Sequence, residues 1–112
     1  MSTVPGTAFH YEIEEETDEN HFKVTVVKCH GRLTGENKDE IRNVVHPLIL
    51  QGGRIALDFG DVQFLDSGGL GAIVGLKVSA ISRGLCVLML RNLTPRVKEL
   101  LRITNLLQLF SS

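Results

Sequence analysis

Two short runs, Arg54-Ile55-Ala56-Leu57-Asp58-Phe59 and Leu85-Cys86-Val87-Leu88-Met89-Leu90, are apolar almost throughout, and each lies between stretches of helical periodicity. A run this short and this apolar suits a strand buried on both faces. Strands joined through a helix return the chain to the same end of the sheet, so they pair in parallel, with a right-handed crossover. This single pattern confines the chain to the α/β class.

The flanking segments extend the order. Phe9, Tyr11 and Ile13 alternate with polar residues, which predicts a half-buried strand. Residues Glu14 to Asn20 are expected as an acidic, solvated turn, and Phe22 to Cys29 predicts a second strand completing a hairpin. His30 to Gly35 is expected as a loop. Ile41, Val44, Val45, Leu48 and Ile49 make one apolar helical face over about Asn37–Gln51, with Asn37 and Glu40 at capping-box spacing and a kink expected at Pro47. Gly60 to Leu65 is expected as a connection. A second helix over Ser67–Arg83 would bury Leu70, Ile73, Val74, Val78 and Ile81, with Lys77 extending its amine outward. Thr94-Pro95 opens a third helix to about Thr104, and Leu106 to Phe110 adds an edge strand or a helical turn. The fold expected is a mixed sheet of four or five strands, Arg54–Phe59 and Leu85–Leu90 central, with helices packed on one face. Ile41, Val45, Leu57, Ile73, Val74, Leu88 and Leu101 are the expected core. One domain spans residues 8–112, behind a loose arm at residues 1–7.

Composition narrows the function. The formal net charge is −1, from 12 Lys and Arg against 13 Asp and Glu, and no basic cluster is present, which excludes a nucleic-acid face. No apolar run would span a bilayer and no signal peptide is evident, so a cytoplasmic protein is expected. Cys29 and Cys86 stand far apart without metal-ligand spacing and are read as reduced packing residues. His10, His21, His30 and His46 also lack such spacing. No metal and no cofactor is predicted. Ser67 at a strand-to-helix turn invites comparison with a hydrolase elbow, but Leu65 stands where that motif needs glycine. No Gly-Lys-[Ser/Thr] follows the glycines, so nucleotide binding is unsupported.

The most informative stretch is Asp66-Ser67-Gly68-Gly69-Leu70-Gly71, after the strand ending in Asp58 and its apolar continuation. With Thr94-Pro95 and the following Val97, Lys98, Leu100 and Leu101, it resembles the STAS family of bacterial anti-sigma factor antagonists over about Phe9 to Phe110. The resemblance implies an interaction switch and no enzyme. The unphosphorylated domain would bind an anti-sigma factor that is also a serine kinase, releasing a sigma factor. Phosphorylation in this turn would end the complex and a phosphatase would reset it. Other members serve as scaffolds in stress-signalling complexes or as accessory subunits of lipid-transport ATPases.

Two positions depart from the family pattern. The usual acceptor hydroxyl falls at Gly68, leaving Ser67 as the phosphorylation candidate. The earlier Gly-x-Leu-Asp becomes Gly31-Arg32-Leu33-Thr34. The partner surface is placed on Arg32–Gly35, Asp61–Gly69 and the first turns of the second helix, with Thr34, Asp61, Asp66, Ser67, Gly68 and Gly69 as contacts. Each has a plainer reading: Asp66 or Ser67 as the helix cap, Asp61 as a loop-capping group, the glycines as close-packing positions.

Overall fold

The computed structural model describes residues 8–110, so the arm expected at residues 1–7 lies outside the described residues. The elements are β1 (His10–Thr17), β2 (Lys23–Leu33), α1 (Lys38–Gln51), β3 (Gly53–Leu65), α2 (Ser67–Arg83), β4 (Cys86–Arg91), α3 (Pro95–Ile103) and the single turn α4 (Leu107–Phe110). The strands form one mixed sheet in the order β1-β2-β3-β4. β1 runs antiparallel to β2, while β2 with β3 and β3 with β4 are parallel.

Strand alternation divides the side chains between two faces. Val27, Cys29, Ile55 and Leu57 pack with Ile41, Val45 and Ile49 of α1 and with Ile73, Leu76 and Ala80 of α2. On the opposite face Val24, Val26 and Ala56 cluster with Met89. That face also carries ion pairs, Lys28 with Glu14 at 3.2 Å and Arg91 with Glu16 at 2.8 Å. The expected core residues are buried except Val74, which is only partly so. Thr94 caps α3 as its sequence position implies, its hydroxyl accepting from the Val97 N–H at 3.3 Å.

Several expectations need correction. His30 to Leu33 is the end of β2, and Gly60 to Leu65 continues β3. The two strands stay paired as far as Leu33 and Leu65, and register shifts between Lys28 and His30 and between Gly31 and Arg32 absorb the irregular residues. β4 is an edge strand, and β2 joins β3 in the interior. Lys77 does not extend its amine to water but donates to the Leu88 carbonyl of β4 at 2.7 Å. Tyr11 and Ile13 are 43% and 49% exposed, because among the described residues no helix packs extensively on β1; of the three apolar residues read there only Phe9 is buried. On α2 the buried face runs through Gly69, Leu70, Ala72, Ile73, Leu76 and Ala80, leaving Val78 and Ile81 exposed. α2 carries apolar residues on nearly every side, so periodicity alone does not choose the inward face.

Candidate functional site

The site grows from one carboxylate. Asp66 stands in extended conformation at the N-terminus of α2, and its Oδ1 accepts the Gly69 N–H at 2.8 Å. The Asp66 carbonyl accepts the Leu70 N–H at 2.8 Å. The same carboxylate accepts the Gly35 N–H, at 3.1 Å to Oδ1 and 3.4 Å to Oδ2. One side chain therefore caps the helix and fastens the β2–α1 loop to it. The Gly69 amide, then those of Gly35 and Gly68, with a smaller contribution from Arg32, hold the Asp66 carboxyl below its ordinary range against an opposing effect of desolvation.

Two glycines make this contact possible. A Cβ on Gly68 would lie 2.8 Å from the Gly35 nitrogen and closer still to its Cα. A Cβ on Gly69 would lie 2.9 Å from Leu65 Cδ1 and closer still to the Leu33 carbonyl oxygen. The first lets the loop touch the helix, the second lets the helix touch the sheet, and any side chain would force either apart.

Around this seam the structure brings together five of the six expected contact residues. The Thr34 hydroxyl accepts the Glu36 N–H at 3.2 Å, and the Thr34 N–H donates to Asn37 Oδ1 at 2.9 Å. Asn37, expected to cap α1, makes no capping hydrogen bond; its Oδ1 serves Thr34 and its Nδ2 donates to the Arg32 carbonyl at 2.9 Å. Ser67 is exposed, and its hydroxyl forms no hydrogen bond among the described residues. The cap is thus Asp66 and not Ser67. Nor, among the described residues, does any imidazole or carboxylate engage Ser67 as an activating base would. Asp61 stands apart. It belongs to β3, where its Oδ2 lies 2.6 Å from His30 Nδ1, and five residues of strand, about 17 Å, separate it from Asp66.

Gly35 and Phe64 lie within the segments expected to form the partner surface but were not among its named contacts. The Gly35–Gly68 contact joins the β2–α1 loop to the first turn of α2, segments distant in the chain. The only signal for it was a glycine in each segment following a parallel strand. Phe64 is the Cα partner of Arg32, whose guanidinium carbon lies 4.3 Å from the ring centroid. Among the described residues no group of His, Cys, Asp or Glu is arranged to hold a metal ion, and no helix is long and apolar enough to cross a membrane.

Comparison with known proteins follows the same lines. The sequence matches the STAS domain over residues 12–112. The anti-sigma factor antagonist SpoIIAA in its unphosphorylated form is 24% identical, with a TM-score of 0.68 over 88% of this chain and 84% of that one. A Thermotoga maritima protein named as a candidate anti-sigma factor antagonist is 26% identical, with a TM-score of 0.69 over 84% of this chain and 79% of that one. The murine anion transporter Slc26a9 is 16% identical, with a TM-score of 0.68 over 88% of this chain but only 18% of the transporter. No curated protein matches the chain in sequence.

Proposed function

The chain belongs to the STAS domain family, and from that premise we propose that it is an anti-sigma factor antagonist acting in the bacterial cytoplasm as a binding module without catalytic activity of its own. Its partner is an anti-sigma factor with serine-kinase activity, met through Thr34 and the turn from Asp66 to Gly69. Asp61, farther back along β3, lies outside that patch. The observation that carries the reading is the exposed, unbonded Ser67 hydroxyl on a seam that Asp66 holds rigid. A rigid turn loses little freedom on docking. Transfer of the γ-phosphoryl group of ATP to Ser67 Oγ would place about two negative charges inside the contact and weaken the complex about five- to 150-fold. A phosphatase would restore binding.

Gly68 favours a second reading. The position of the family's usual acceptor has neither hydroxyl nor room for one beside Gly35. A domain unmodified at both positions would be an unswitched scaffold or an accessory subunit of a stress-signalling complex or lipid-transport ATPase. The test incubates the protein with each anti-sigma serine kinase of its source organism, with and without ATP, and maps phosphate by mass spectrometry in wild type and Ser67→Ala. Phosphate on wild type that vanishes in Ser67→Ala supports the switch. Binding without labelling selects the scaffold, and absence of binding to every kinase overturns the antagonist reading.

A further inference from the structure

We propose that Arg32, laid over the Phe64 ring, is the cationic receiver for a phosphoryl group on Ser67. This deepens the reading above and rests on it. The placement follows from the sheet register. Arg32 and Phe64 are partners across β2 and β3. Asp66 follows Phe64 by two residues and donates its N–H to the Leu33 carbonyl at 3.3 Å, so Arg32, one residue before Leu33, stands beside the turn in which Ser67 comes next. Arg32 already contributes, after the Gly69, Gly35 and Gly68 amides, to keeping the Asp66 carboxyl ionised.

The turn needs such a group. Phosphoryl transfer from ATP to Ser67 Oγ releases ADP and a proton and leaves a group of about −1.5 to −2 charge beside the Asp66 carboxylate. The helix end is already partly engaged by Asp66. Its Gly69 N–H is bound to the Asp66 carboxylate and its Leu70 N–H to the Asp66 carbonyl. Arg42, on the first turns of α1, faces Asp39 at 3.6 Å. The Arg32 guanidinium, by contrast, is exposed and makes no hydrogen bond or ion pair among the described residues. Stacking on Phe64 holds its planar fork ready. A fork of this kind grips two oxygens of a phosphate at once, which would tie the end of β2 to the start of α2 across the partner surface.

The test needs no kinase and no partner. Phosphoserine is installed at position 67 during translation, and the phosphate is titrated by 31P NMR in the full chain. In wild type its second pKa should fall below the usual value of about 6, and in Arg32→Gln it should return upward by about one unit. Phe64→Leu, which keeps the charge but removes the stack, should give an intermediate value. Equal titrations in wild type and Arg32→Gln overturn the proposal. So does a shift in wild type that survives Arg32→Gln. Should Arg32→Gln fail to fold, the Arg32 Nε–H resonance of the wild type decides: it moves on phosphorylation if the contact forms and stays in place if it does not. Failure here leaves the antagonist reading standing, and failure to find a kinase leaves this titration unaffected.

Discussion

Gly68 offers a sharp test of the seam between the β2–α1 loop and α2. Replacing it with Ala adds a Cβ 2.8 Å from the Gly35 nitrogen and closer still to the Gly35 Cα, with Asp66 Oδ1 at 3.4 Å. Both of the nearest atoms are backbone, so relief requires the loop to move and not a rotamer to change. Overpacking of this kind costs about 1–3 kcal/mol. The usual gain from replacing a helical glycine, at most about 1 kcal/mol, offsets part of it. A net loss of up to about 2 kcal/mol corresponds to a drop in Tm of up to roughly 8 °C for a domain of this size, against a rise for the control below. Gly71, on the same helix, is the internal control. A Cβ there meets nothing within 4 Å, so Gly71→Ala should gain about 0.5–1 kcal/mol. Calorimetry on wild type and both variants, with urea unfolding to check that the m-value is unchanged, reads the difference directly. If Gly68→Ala is as stable as Gly71→Ala, the loop does not pack on the helix, and the site described above is wrong in its central feature. Gly68→Ser restores the hydroxyl of the family pattern but carries the same clash, so any phosphate it accepts must be read beside its melting curve.

Three further outcomes follow from local contacts. Leu57→Ala empties a fully buried position of β3 and should cost about 2–5 kcal/mol in chemical denaturation. Thr94→Ala removes the acceptor for the Val97 N–H and should cost about 1 kcal/mol by the same measurement. Asp66, whose folded carboxyl is held below its ordinary value of 3.8 chiefly by the Gly69 amide, contributes stability that is complete above that value and lost as pH falls through the lower folded one. The Tm of wild type should therefore drop more steeply below pH 4 than that of Asp66→Asn, and parallel curves would show that the carboxylate does not bear on folding.

What the sequence made legible was local chemistry. Asp66 before α2 and Thr94 before α3 are caps whose partners lie three residues away, so both can be read from spacing alone. Leu57 and Leu88 lie in apolar runs whose burial needs no knowledge of neighbours. The rest was set by partners distant in the chain. β2 and β3 extend each other past Gly31 and Gly60, which look like strand ends in isolation. β4 is as apolar as an interior strand although it lies at the edge. Lys77 from α2 serves its Leu88 carbonyl, and Leu90 joins Leu106, Leu107 and Phe110 against the core. Tyr11 and Ile13 alternate as in a half-buried strand, but burial also needs a helix above them, and α1 and α2 lie over the other end of the sheet order.

The two departures from the family pattern belong to one structural event. Where the family places an acid in the β2–α1 loop, this chain has Thr34 and then Gly35, whose N–H turns to the Asp66 carboxylate. Where the family places its acceptor, this chain has Gly68, against which Gly35 rests. A side chain at 68 would hold the loop away and an open loop would leave room for a side chain, so the two positions constrain each other sterically. The closed seam excludes the second hydroxyl of the family pattern and leaves Ser67 as the sole hydroxyl of the turn. It also makes Asp66 a poor probe of binding. Its carboxylate serves both α2 and the loop, so its removal disturbs the surface along with any contact made to a partner. Among the described residues the Ser67 and Arg32 side chains make no hydrogen bond, so both can be changed with the seam intact. A loss of partner binding in Ser67→Lys with an unchanged melting temperature therefore assigns the contact to the turn itself, whereas full binding by that variant would remove the turn from the interface.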